Sequence, residues 1–161
     1  MNIAHDIYSE INPAFCAYAL TAFTTTYLSV NTDGPEVPTI YLALPIALSG
    51  DLDSAFKGTN KNTGLLEWLE RSPQIQIDLA KRVNASIDLV TEAIRFGCFT
   101  HMLAVDVRAR LKLGGKKVKK SAFTALSEEP RETIKRAERL GYWCATAGST
   151  RTVFDMMGLT V

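Results

Sequence analysis

Reactive chemistry in this chain would have to come from a small stock of side chains. There are three cysteines, two histidines, two close acid pairs and one Gly-Ser-Thr turn. Cys16, Cys98 and Cys144 lie far apart, each inside an apolar run, and none pairs at metal-ligand spacing. An odd count of scattered cysteines does not suggest a disulfide frame, so they read as buried thiols of a cytoplasmic protein. His5 and His101 have no Cys or His neighbour at ligand spacing, and no metal site is expected. Glu128-Glu129 opens a helix and Asp51/Asp53 falls in a loop, positions that explain both acid pairs without a cation. Gly148-Ser149-Thr150 resembles a phosphate-binding helix start. A simple junction between one helix's C-cap and the next helix's N-cap explains it fully, and is the favoured reading. There is no Gly-rich phosphate loop followed by Lys-Ser or Lys-Thr, and no nucleophile elbow. The expectation is a chain that is not an enzyme and takes no cofactor.

The other chemistry on offer is charge. Arg108, Arg110, Lys112, Lys116, Lys117, Lys119 and Lys120 follow one another with no acid among them. The whole chain has a formal net charge of only +1, so the remainder is mildly acidic. Such a run suits a DNA backbone, because Lys and Arg neutralise phosphates without reading sequence. It equally suits a solvated loop or a dock for an acidic partner. Val107 to Leu113 alternates apolar and basic residues, which predicts a half-buried strand with Arg108, Arg110 and Lys112 pointing out. With residues 101–106 it makes a β-hairpin, and Gly114-Gly115 supplies a turn.

The elements that would position this hairpin come just before it. Ile75, Leu79 and Val83 share one helical face, with Ala80 small enough to admit a second helix. Asn84-Ala85-Ser86 breaks the pattern, and Ser86 is a good N-cap for a second face of Ile87, Val90, Ala93 and Ile94 ending at Gly97. Helix, short turn, helix and strand is the layout of a winged helix-turn-helix. Its second helix carries Asp88 and Glu92, which phosphates repel, leaving Thr91 and Arg95 as the groove-reading candidates.

Around this core the reading is helical. Asn12-Pro13 caps a first helix whose inner stripe is Phe15, Ala19, Phe23 and Tyr27, with Thr21, Thr24 and Thr25 opposite. Pro38 to Leu48 is apolar all round, so it is buried in the core or under another subunit. Its periodicity does not separate helix from strand, and a short helix bent or ended near Pro45 is favoured. Thr63 is placed as a cap for a helix with Leu65, Leu66 and Leu69 inward and Trp68 at an edge. A helix from Ser127 runs Ile134, Ala137, Leu140, Cys144 and Ala147 down one side, with Gly141 permitting a close approach. Neither apolar stretch is a good membrane span, and no basic region precedes an apolar one at the N-terminus. The fold class is mainly α with a small β-hairpin, one domain over 1–161. It divides into N-terminal helices (1–62), a winged-helix-like core (63–126) and C-terminal helices (127–161).

Four phrases resemble one family: Asn12-Pro-Ala-Phe-Cys16, Thr39-Ile-Tyr-Leu-Ala-Leu-Pro-Ile-Ala-Leu48, Leu66-Glu-Trp-Leu69, and Ala137-Glu-Arg-Leu-Gly-Tyr-Trp-Cys-Ala-Thr-Ala-Gly-Ser149 with Phe154 and Leu159. Together they are similar to the middle component of bacterial three-component ABC-ATPase systems, the Lamassu-like anti-phage systems. The resemblance implies a small cytoplasmic subunit without catalytic motifs. It would work beside an SMC-like ABC ATPase and an effector such as a nuclease, with DNA contact through the basic wing and no membrane. Phe15, Tyr41, Leu44, Gly141, Trp143 and Phe154 are the partner-facing candidates on that reading. The alternative is a stand-alone winged-helix transcription regulator.

Overall fold

The computed structural model describes residues 12–160. His5, the N-terminal stretch read for a leader, and Val161 lie outside them. Asn12 Oδ1 accepts the Ala14 amide at 2.8 Å, and Pro13 occupies the first helical position, where a missing donor costs nothing. The helix they start, α1 (Pro13–Leu28), is the centre of the molecule. It packs against α6 (Ile87–Phe99) and α8 (Glu128–Ala147). Two of the three threonines on its polar side are therefore internal: Thr25 is exposed, while Thr21 and Thr24 are buried with Phe23 and Tyr27. Their hydroxyls donate to the carbonyls of Ala17 (2.8 Å) and Leu20 (2.7 Å), so the helix satisfies its own threonines.

Gly141 explains how closely α8 approaches. A Cβ there would lie 2.2 Å from the Phe23 carbonyl oxygen and 2.3 Å from Thr26 Oγ1. Thr26 Oγ1 also donates to the Glu138 carbonyl at 2.7 Å, tying the two backbones together. α2 (Val37–Leu48) lies on α8 and α1 and is a helix, as favoured. It runs through Pro45 for three more residues, with Ile40, Leu42, Leu44 and Ile46 buried. Its C-terminal carbonyls face α8. Arg136, only 4% exposed, donates Nε to the Ala47 carbonyl, Nη1 to Asp53 and Nη2 to Thr133, all within 2.8–2.9 Å.

A 3-10 turn (Gly50–Leu52) and the short α3 (Asp53–Phe56) follow. Arg82 grips Asp51 through both Nη atoms at 3.1 and 2.8 Å, and Arg139 holds the Phe56 carbonyl and Thr59. Asp51 and Asp53 are thus ion-pair partners within the chain. α4 (Leu65–Arg71) starts from Gly64 at φ +78°, not from Thr63, whose hydroxyl takes the Asn60 amide instead. Leu65 and Leu69 are buried as expected, but Leu66 is exposed and Trp68, placed at an edge, is fully buried. Phe56, Trp68 and Trp143 form one cluster with ring centroids 4.9–6.1 Å apart. The Trp68 indole N–H donates to the Ala55 carbonyl of α3 and that of Trp143 to the Asn60 carbonyl in the loop beyond it, so neither large ring buries an unmet donor.

The first helix expected from Ile75 to Val83 is broken in two. Pro73–Gln76 is a 3-10 turn, Asp78 sits in the left-handed region at φ +56°, and α5 spans Leu79–Ala85. Ile75 and Leu79 are still buried, but Ala80 is exposed and admits no second helix. Only Ser86 separates α5 from α6, and its hydroxyl donates back to the Val83 carbonyl without capping α6. Gly97 does not end α6, which continues to Phe99. A Cβ at Gly97 would meet Leu103 Cδ1 at 2.6 Å, so the glycine seats the strand that follows. β1 (Leu103–Val105) and β2 (Leu111–Leu113) pair antiparallel, with Leu103 opposite Leu113 and Val105 opposite Leu111. After α7 (Lys120–Thr124) and α8 comes α9 (Thr150–Met156). The architecture is mainly helical with one small two-stranded antiparallel sheet.

Candidate functional site

The hairpin is where the basic run lies, and its loop is longer than the alternation of residues predicts. β2 begins at Leu111, not Val107, because Asp106 gathers the chain into a turn. Asp106 Oδ1 accepts the amides of Arg108 (2.8 Å) and Arg110 (3.0 Å), and its carbonyl accepts that of Ala109 (3.0 Å). Ala109 takes φ +56° to allow this, a conformation that costs a non-glycine residue about 1 kcal/mol or more. The amides of Arg110 and Arg108 hold the Asp106 carboxyl below its usual range, helped by the charges of Arg108 and Lys112.

The hairpin is also tied to the loop between α1 and α2. Val37 donates to the Ala109 carbonyl at 3.1 Å and Leu111 to the Pro35 carbonyl at 2.8 Å. Arg110 bonds the Gly34 carbonyl (2.7 Å) and Glu36 (2.8 Å), Lys112 bonds the Thr32 carbonyl (2.9 Å), and Arg108 pairs with Asp33 at 3.1 Å. Three of the seven DNA-backbone candidates are therefore occupied within the chain. Lys116, Lys117, Lys119 and Lys120 are exposed and form no ion pair with a described residue. The groove-reading candidates of α6 are occupied too. Thr91 lies 2.7 Å from the Tyr41 hydroxyl and donates to Ile87, and Arg95 pairs with Glu92.

The partner-facing candidates divide by burial. Leu44 and Trp143 are 1% and 0% exposed, and Gly141 is the α1–α8 contact itself. These three are core residues, and no partner can touch them in this fold. Phe15, Tyr41 and Phe154 are half-buried against the core. The exposed large apolar residues that sequence patterning missed are Phe99, Val105, Val107 and Leu113, with Val30, Leu66, Ile77 and Ile87 elsewhere. A signal was present for Val107, an apolar residue between Asp106 and Arg108 where a turn was available, and for Phe99, which falls off the stripe of Val90, Ala93 and Ile94.

The remaining chemical candidates have structural places. Burial pushes the Cys16 thiol up to about 11 and the Cys144 thiol up to about 12, so neither is a thiolate nucleophile at neutral pH. Cys98 is half-buried, and desolvation raises it as well. Among the described residues no group of three or more His, Cys, Asp or Glu is placed to hold a metal ion, and no helix is long and apolar enough to cross a membrane. Gly148 takes φ +115° and Ser149 Oγ accepts the Thr152 amide at 3.1 Å, a cap-to-cap junction opening a helix of seven residues. A shallow cleft beside it is lined by Glu36, Thr150, Arg151, Asp155 and Thr160.

A family model described as ABC-three component (ABC-3C) system Middle Component 3 matches residues 1–161. Comparison with curated proteins and with solved structures gives no match.

Proposed function

The chain belongs to the middle-component family of ABC-three component systems, and we propose that it acts there as a non-catalytic adaptor between an SMC-like ABC ATPase and an effector such as a nuclease. The observation that carries this reading is the family match over the whole length of the chain. Burial of the Cys16 and Cys144 thiols, which holds both protonated at neutral pH, supports a role without covalent catalysis at either of them. The proposal extends to work in a cytoplasmic, Lamassu-like anti-phage complex, the setting that the four sequence phrases resemble. Contact with DNA through the hairpin is part of the proposal, with its candidates reduced to Lys116, Lys117, Lys119 and Lys120, because Arg108, Arg110 and Lys112 bond the loop at residues 32–36.

Co-expression of the tagged chain with the products of its neighbouring genes tests the adaptor. A complex that survives size-exclusion chromatography with both ATPase and effector is expected. A chain that elutes alone in their presence contradicts it. Reversing the four lysines to Glu tests the DNA contact: the assembly should lose salt-sensitive retention of DNA. Unchanged retention removes it. A stand-alone winged-helix regulator is disfavoured by the engagement of Thr91 and Arg95 and by the acids Asp88 and Glu92 on the exposed side of α6. It would be revived by a sequence-specific operator shift from the isolated chain.

A further inference from the structure

Most large apolar side chains here are inside, which makes the exceptions around the hairpin informative. Val107 is fully exposed at its tip and Phe99 is 85% exposed at the end of α6. In the strand register Leu103, Val105, Leu111 and Leu113 share one face. Leu103 and Leu111 are buried, while Val105 and Leu113 stay open at opposite corners. The end of α6 lies alongside: the His101 carbonyl accepts the Lys116 amide at 2.9 Å and would meet a Cβ on Gly114 at 2.0 Å. Phe99 and Leu113 therefore edge the base of the hairpin, and Val105 and Val107 edge its tip; this apolar margin of the hairpin is the platform. The Asp106 turn and the bonds to Pro35 and Val37 fix its tip, and the bonds from Gly114 to Met102 and from Lys116 to His101 fix its base.

We propose that this platform is where the subunit docks onto a partner subunit of its complex, and that the partner offers an apolar socket rimmed by carboxylates. The inference rests on the adaptor reading and adds to it the surface and the chemistry of its occupant. Charge complementarity selects the occupant. Lys116, Lys117, Lys119 and Lys120 flank the platform without an ion pair to any described residue, so the occupant is acidic. A phosphate backbone meets that need but gains nothing from burying Phe99 and Val107. A protein surface with a dry centre and an acidic rim satisfies both. Because the loop is held by its own hydrogen bonds, Val107 and its neighbours lose little freedom on docking, which favours affinity.

The test compares wild type, F99D/V107D, the four-lysine reversal and a control, Leu66→Asp on α4, each co-expressed with the ATPase and effector. F99D/V107D should capture a partner subunit about tenfold or more less strongly. Its thermal midpoint should match wild type, because neither side chain is packed. Leu66→Asp should bind normally, and the lysine reversal should weaken capture in a salt-dependent way. Wild-type affinity in F99D/V107D overturns the docking site while leaving the adaptor intact. Failure of wild type to capture any subunit overturns the adaptor, and the docking site with it. If F99D/V107D keeps its subunits but loses DNA retention, the platform belongs to nucleic acid and the proposal is wrong.

Discussion

Where α1 crosses α8, the Phe23 carbonyl comes so close to Gly141 that even a methyl group has no room, while at the hairpin tip Val107 touches nothing. Both regions are rigid, but they are made rigid differently. The crossing is held by packed apolar surface and by threonines that bond their own helix. The hairpin rests on the core through Leu103 and Leu111, but its loop is held by polar bonds: Asp106 to two amides, Arg110 to Gly34 and Glu36, and Lys112 to Thr32. Polar anchoring leaves apolar side chains free to point outward. An apolar phrase is therefore poor evidence of an interface here, and an apolar residue on a polar-anchored loop is better evidence.

That contrast makes graded predictions. Trp143→Ala removes a fully buried ring from the Phe56–Trp68 cluster and should cost about 3–5 kcal/mol in denaturant unfolding. Arg136→Ala should cost about 3 kcal/mol, since it strips partners from the Ala47 carbonyl, Thr133 and Asp53 in a nearly closed site. Gly141→Ala should cost about 1–3 kcal/mol as α1 and α8 are pushed apart. Little or no loss in Gly141→Ala would mean that the crossing is looser than described, and little or none in the other two that the aromatic cluster or the Arg136 site is. The smallest effect concerns the hairpin. Asp106 has a folded pKa below its ordinary value, so its contribution is present above the ordinary carboxylate range and fades as pH falls through the lowered value. The amides of Arg108 and Arg110 should titrate together below that range in an NMR pH series, with α8 amides unmoved. If α8 shifts with them, the two regions are not independent.

Much of this fold was legible in the residues. Asn12-Pro13 marked the start of α1, and the Gly148-Ser149 junction separated α8 from α9 as its types suggest. The all-round apolarity of residues 38–48 correctly implied burial. Gly141 announced a close approach without naming the partner, which is α1. What failed was the assignment of faces. Thr21, Thr24 and Thr25 read as a polar, uncharged side opposite the core stripe, yet a threonine on a helix can bond the carbonyl four residues back and then behaves as apolar, as Thr21 and Thr24 do inside this core. Arg136 was missed because it stands among Arg131, Lys135 and Arg139, which read as an outer charged face, and only tertiary contact reveals the carbonyl it caps. The strand over 107–113 was drawn too long because alternation does not register a carboxylate that folds two later amides back onto itself. The phrases that resemble the family proved to be core phrases: Trp68, Leu44 and Trp143 identify the fold and do not mark the surface it presents.

Hydrogen–deuterium exchange on the free chain and on the assembled complex tests the central claim most directly. The account predicts that α1, α2 and α8 are already protected in the free chain and change little on assembly. New protection should appear between Phe99 and Lys120. Fast exchange of α1 and α2 in the free chain, slowed only by partners and with the hairpin unaffected, would contradict it.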